Sequence, residues 1–219
     1  INEFFNVSNP GEHRLQISIT LSNNQEPCNL DIINPRLYSP NNPPPTIQIP
    51  CFKQNTKILT KNGYKTIENL KKGDLIKTVY NDYKPITYIG KRDVTHNCEK
   101  ERIKNQLYKC SKQQYPELTE ELILTGCHSI LVKKFTSEQQ KQETIQINGD
   151  TYVTDKHYRL HACVDERATV YDIPGDYTVY HLALEHEDKY MNYGIYANGL
   201  LVESCSEINI SISELVLME

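Results

Sequence analysis

Short β-rich runs recur through the middle of the chain, at residues 83–89, 122–132, 144–153, 177–185 and 193–202, with turn-forming or charged segments between them. Nothing repeats at a fixed period, so the pattern predicts an all-β domain and not a repeat array. The ends carry strand character as well. Leu15, Ile17, Ile19 and Leu21 alternate with polar residues near the start, and Ile208, Ile210 and Ile212 do so near the end. Segment 97–121, rich in Lys, Glu and Gln and holding Tyr108 and Tyr115, reads as a surface insertion with some helix.

The stretch from Cys51 to Thr78 is the most ordered part of this pattern. It predicts a short strand, a turn at Asn62-Gly63, an element around Ile67 to Leu70, and a turn at Gly73-Asp74 that returns to another strand. Upstream, prolines at 35, 40, 43, 44, 45 and 50 favour extended polyproline geometry, so residues 34–50 read as a linker. Charge divides the chain at the same places. Residues 1–50 hold no lysine, and residues 200–219 hold four glutamates and no basic residue. The expected organisation is a flanking β segment of a host protein at 1–33, the linker at 34–50, a β domain at 51–199 and a C-terminal flank at 200–219.

Composition narrows the function classes. With 219 residues, 38% of them hydrophobic, the chain can bury a modest core. A net charge of −4 and a pI near 6.0 give no support for nucleic acid or an anionic membrane as partner, and no apolar run is long enough to span a bilayer. Residue 1 is Ile, and no signal-peptide core follows, so the chain reads as part of a longer polypeptide. The seven scattered cysteines form no close pair, which argues against a disulfide framework or zinc ribbon and favours a reducing compartment. His96, Cys98 and Cys110 lack a fourth metal ligand in register, and no cofactor is implied. Localisation stays open, with cytoplasm or virion ahead of secretion.

Three blocks carry a family resemblance. The run from Cys51 to Thr78 resembles the first block of the Hint (hedgehog/intein) family. Leu124-Thr125-Gly126-Cys127-His128, leading into Val132, resembles its second, a Thr-x-x-His pattern. The stretch from Thr178 to Asn198 resembles its last block, with His181 where the family usually has Asp or Cys. The resemblance implies an all-β Hint fold of pseudo-twofold horseshoe shape, whose two ends come close together. The flanks then read as one interrupted host β-domain, or as two unrelated tails.

The resemblance also implies a self-cleavage chemistry. Cys51 would attack the carbonyl of Pro50, turning an amide into a thioester. That step needs the leaving nitrogen protonated and the developing oxyanion held. His128 is expected to protonate the nitrogen, and Thr125, through its hydroxyl or backbone N–H, to hold the intermediate. His181 is expected to ionise Cys51, because an imidazole near 6.5 lies below a thiol near 8.5. The alternatives are a core histidine at 128 and a solvent-facing strand histidine at 181. Asn198 either cyclises slowly beside Gly199 or forms the corner of a type I′ turn.

Ligation is not expected, because splicing needs a terminal His-Asn followed by a nucleophile and the chain reads Ala197-Asn198-Gly199. Thr95-His96-Asn97-Cys98 copies those letters too early in the chain. The substrate is therefore the protein's own N-terminal flank, and the acceptor is water or a small amine or thiol. Pro50 hinders the attack, so slow or conditional cleavage is expected. Residues His161, Cys163, Asp165 and Arg167 either line the same site or close a sheet. The competing reading is a catalytically silent Hint-like module, acting as a structural or interaction domain of a larger assembly.

Overall fold

The computed structural model describes residues 49–218, so the alternation at 15–21 and most of the proline-rich linker lie outside the described residues. Fifteen strands and two short helices follow in order: β1 Phe52–Lys53, β2 Lys57–Thr60, β3 Gly63–Thr66, β4 Leu75–Lys77, β5 Tyr83–His96, β6 Leu107–Cys110, β7 Leu122–Thr125, β8 Ser129–Val132, α1 Glu138–Asn148, β9 Val153–Thr154, β10 His157–His161, β11 Thr169–Val170, β12 Gly175–Leu184, β13 Gly194–Ala197, β14 Leu200–Glu203, α2 Glu207–Ser211 and β15 Val216–Leu217. The domain is all-β, as its alternating runs predict.

One long antiparallel ladder organises the rest. β5 pairs with β12 from His96↔Gly175 to Ile86↔Leu184, with an irregularity after Ala183. Strands β11, β6, β7 and β1 continue the sheet beyond β12, while β4, β2, β13, β14, β8, β10 and β9 continue it beyond β5. Residues 179–184 of β12 are buried without alternation, because both of its faces are covered. Although only two residues long, β1 is central. Phe52 pairs with Tyr180 of β12 on one side and Leu124 of β7 on the other, which places Cys51 at the entrance to the sheet.

Phe52, Ile58, Ile76, Leu124, Leu182 and Ile195 anchor the larger core cluster. A smaller one gathers Ile49, Cys51, Val179, Ala183, Cys205 and Leu215.

Four expectations are corrected. Segment 97–121 contains no helix and is no surface insertion. β6 pairs with β7 and β11, Tyr108 and Tyr115 are fully buried, and the Arg102 guanidinium donates to the carbonyls of Ala162, Cys163, Asp165 and Ala168. Arg102 serves buried backbone carbonyls, while Glu99, Lys100, Glu101, Lys112, Glu117 and Glu121 of the same segment face solvent. The first half of the run at 144–153 is the end of α1, which is capped by Ser137, whose hydroxyl accepts from Gln140 N–H, and ended by Gly149 at φ 86°.

The Ile208-Ile210-Ile212 alternation forms α2 and its cap, started by the Ser206 hydroxyl on Asn209 N–H. Finally, the domain does not stop at 199. β14 joins β13 to β8, β15 pairs with β5, and both belong to the same compact unit as the other described strands.

The β13–β14 hairpin turns at Asn198 and Gly199, both with positive φ (48° and 98°), as a type I′ corner requires. A Cβ at Gly199 would overlap the Glu117 carbonyl oxygen. Gly199→Ala is therefore expected to destabilise the domain by about 3 kcal/mol. Gly63→Ala, at φ 96° but with open space around it, should lose about 1 kcal/mol. Urea unfolding midpoints of the two variants check the difference, and equal losses would show that overlap at the corner does not matter.

Candidate functional site

The site is assembled where β1 meets β7. Thr125 N–H donates to the Cys51 carbonyl at 2.9 Å, and Cys51 N–H donates to Thr125 Oγ1, also at 2.9 Å. The nitrogen held in this way is that of the Pro50–Cys51 peptide bond. The Cys51 thiol donates to the Ile49 carbonyl at 3.4 Å, which folds the side chain back over Pro50.

A tight turn then brings His128 round, with His128 N–H on the Thr125 carbonyl at 2.9 Å. Gly126 permits it, because a Cβ there would stand 2.5 Å from the Ile103 carbonyl oxygen and 2.7 Å from the Tyr108 ring. The segment at 161–165 backs the turn. Ala162 N–H donates to the His128 carbonyl and Cys163 N–H to the Gly126 carbonyl. Asp165, paired with Arg167 at 2.7 Å and accepting from Tyr115 Oη–H, locks that segment. Of the two readings of residues 161–167, these contacts match the one that closes the sheet.

His128 is fully buried. Its Nε2 faces the Glu203 carbonyl at 3.2 Å and so carries the proton, while Nδ1 has no partner among the described residues. His181 follows Tyr180 on β12, so the ladder puts it opposite Cys51. It is equally buried, not solvent-facing, and neither of its ring nitrogens has a partner. The two imidazoles meet edge to face at 5.0 Å between centroids, and Phe52 packs against both.

Burial sets the protonation states. It lowers His128 to about 3, opposed by the Glu203 and Cys51 carbonyls, and holds His181 well below 6.5, with His128 adding to the effect. Burial also pushes the Cys51 thiol up to about 12; the Arg92 guanidinium beside it opposes this and Cys127 reinforces it. At rest the site holds a thiol and two neutral imidazoles.

Cys51, Thr125, His128 and His181 thus come together, and Asn198 does not join them. Its Oδ1 accepts from Lys57 N–H at 2.7 Å, its Nδ2 donates to the Glu121 carbonyl at 2.8 Å, and its carbonyl accepts from Thr119 N–H. It ties the hairpin corner to β2. His96 and Cys98 sit 3.3 Å apart on the Tyr171 carbonyl, whereas Cys110 packs by Tyr115.

Four residues of the neighbourhood escaped the sequence reading. Arg92 stands beside the thiol, Cys127 Sγ lies 3.4 Å from Thr125 Oγ1, Glu203 supplies the carbonyl to His128, and Cys205 shares the apolar cluster of Cys51. Only Cys127 had a local signal, since it lies inside the Thr-x-x-His pattern.

A β-rich fold that holds a cysteine's own amide nitrogen against a threonine hydroxyl, beside buried histidines, defines an autoprocessing-type domain. The Hint domain family model matches residues 50–208, and the chain belongs to that family. The match runs past residue 199, in keeping with the strands beyond it.

Among solved structures, the gp41-1 intein is similar at 16% identity and a TM-score of 0.36, over 70% of this chain and 97% of that one. The intein-like domain from Clostridium thermocellum aligns at 18% identity and 0.37, over 70% and 97%. A DnaB intein from Synechocystis sp. PCC 6803 aligns at 11% and 0.37, over 71% and 99%. None of the curated proteins matches the chain.

Proposed function

We propose that the domain performs an N-to-S acyl shift at the Pro50–Cys51 bond, after which a nucleophile from outside releases residues up to Pro50 without splicing. The observation that carries this is the scissile nitrogen itself, held at 2.9 Å by Thr125 Oγ1 beside a histidine whose Nδ1 is unpartnered. Cys51 Sγ forms a bond to the Pro50 carbonyl carbon as its proton passes to His181, the imidazole opposite it. The proton crosses to His128 and then to the Cys51 nitrogen as the C–N bond breaks. One proton moves from sulfur to nitrogen, so both rings begin and end neutral. The Thr125 hydroxyl, which accepts from the scissile N–H, orients that nitrogen to receive the proton, while the Thr125 backbone N–H is spent on the Cys51 carbonyl and not on the Pro50 oxygen where negative charge develops.

The same burial that builds the site restrains it. Burial raises the thiol to about 12 and holds both imidazoles below their ordinary value, so moving the proton from Cys51 to either ring is strongly uphill, which makes cleavage slow. The chemistry also stops short of ligation. Cys205 is the thiol beyond β14 that shares a cluster with Cys51, and Glu203-Ser204 precede it, neither able to cyclise as a terminal asparagine does.

Full burial of Cys51 favours a second reading, a silent structural or interaction module within a larger assembly. Intact mass of the chain over time, with and without hydroxylamine or dithiothreitol, separates the two. Release of a fragment ending at Pro50, accelerated by either nucleophile and abolished in Cys51→Ala, is the expected result. An unchanged 25.4 kDa mass in every condition would leave only the silent module.

A further inference from the structure

A cavity of about 290 Å³ lies one side chain away from the nucleophile: Cys51 is fully buried and does not line it, but Arg92, Thr125 and Cys127, which neighbour Cys51, do. Its other polar walls include Lys104 and Gln106, and among the described residues no acidic side chain lines it. In a chain of net charge −4, that is a local excess of positive charge. Lys104 Nζ is tethered to the Ile147 carbonyl at 2.9 Å, which holds its charge in place at the wall.

Gln106 supplies the second observation. The residue is only 3% exposed, and its Nε2 is fully used, donating to the carbonyls of Glu99 and Glu101 at 3.2 and 2.6 Å. Its Oε1 is buried and has no partner. An acceptor left in this state loses roughly 1–3 kcal/mol of hydration until a donor arrives. Arg92 Nε is likewise buried and unpartnered, and the Arg92 guanidinium lies 3.9 Å from the largely exposed Glu214 carboxylate, too far for a hydrogen bond.

We propose that this cavity holds the acceptor of the acyl group, and that the acceptor is a small amine bearing a carboxylate, of the amino-acid class. The inference rests on the thioester reading above. The carboxylate meets Arg92 and Lys104, and the amine donates N–H to Gln106 Oε1, so that its lone pair faces the thioester across Thr125 and Cys127. The amine nitrogen bonds to the Pro50 carbonyl carbon as the carbon–sulfur bond breaks. Cys51 leaves as thiolate and takes the proton that the amine loses. The products are residues up to Pro50 capped by an amide to the amino acid, and a chain beginning with Cys51 and its free thiol.

The test compares glycine, glycinamide and hydroxylamine on the purified full chain, at matched concentrations of unprotonated amine, with the released fragment read by mass. Glycine, which alone carries the carboxylate, is expected to cap the fragment about tenfold faster than glycinamide, the factor of a single well-placed charge contact. Lys104→Glu should erase that preference, so that glycine and glycinamide cap the fragment at equal rates. If hydroxylamine releases the fragment but glycine and glycinamide act alike, or if the preference survives Lys104→Glu, the assignment of this cavity is wrong. If hydroxylamine itself releases nothing, the thioester reading fails first, and this inference with it.

Discussion

His128→Ala is expected to lower the first-order rate of thioester formation by about 10²–10⁴-fold, the range that general acid–base groups contribute. The imidazole has one ring nitrogen committed to the Glu203 carbonyl and the other free, and no water-exposed group can take over at a site this buried. His181→Ala should act on the same proton from the thiol side. Because both rings serve one transfer, the double variant is expected to be little slower than the worse single variant, a strong departure from additivity.

His161 is the fitting control. It is also buried and held down to about 4, and although its charge is felt at His128 its Nδ1 faces Asn148 at 3.4 Å, so it takes no part in the transfer and His161→Ala should cleave at nearly the parent rate. Hydroxylamine-trapped mass kinetics measure all four variants. Cleavage at parent rate in His128→Ala would remove His128 from the mechanism, and fully additive losses would assign the two histidines to separate steps.

The part of this site that was legible in the sequence is the part built from neighbours. From Cys51 to Thr78 the strands, the turn before Gly63, the 3-10 turn at Ile67–Asn69 and the turn at Gly73 all follow from local chemistry. Thr125 and His128 were legible through the Thr-x-x-His pattern of the family resemblance, whose spacing one tight turn at Gly126 satisfies. Arg92, Gln106 and Cys205 were not, because long-range pairing delivers them: Arg92 through the β5–β12 ladder, Cys205 through a bridge to Ala183.

Helix α1 was misread from Thr144, Ile145 and Ile147, whose β-branching suggests a strand, although Ser137 and Gly149 carried the opposite and better signal at its two ends. Asn198 was legible as a corner and not as chemistry. The hydrogen bonds that occupy its amide come from residues 57 and 121, far away in sequence.

Acidification should unfold this domain steeply. His128, His161 and His181 all titrate below their ordinary value in the folded state, through burial first, so between pH 6.5 and roughly 3 the unfolded chain binds more protons than the folded one. Their contribution to stability is fully present above 6.5 and is lost as the pH falls through that window. Each histidine removes up to about 1.4 kcal/mol per pH unit, so three together consume the 5–15 kcal/mol typical of a domain within a few units.

Glu203 runs the other way. Burial raises its carboxyl above 4.5 despite Arg159 at 3.2 Å, so it destabilises the fold at neutral pH and relieves part of that strain on acidification. Three histidines against one carboxyl leave a net acid lability. Urea midpoints of the parent from pH 7 to pH 4 should fall throughout. His181→Gln, polar but not titrating, should fall about one third less steeply. A parent midpoint flat across this range would mean that the histidines are solvated and that the closed site described here is open in solution. Equal slopes for parent and variant would return His181 to its ordinary pKa, narrowing the gap to the Cys51 thiol that burial raises and making cleavage faster than the closed site allows.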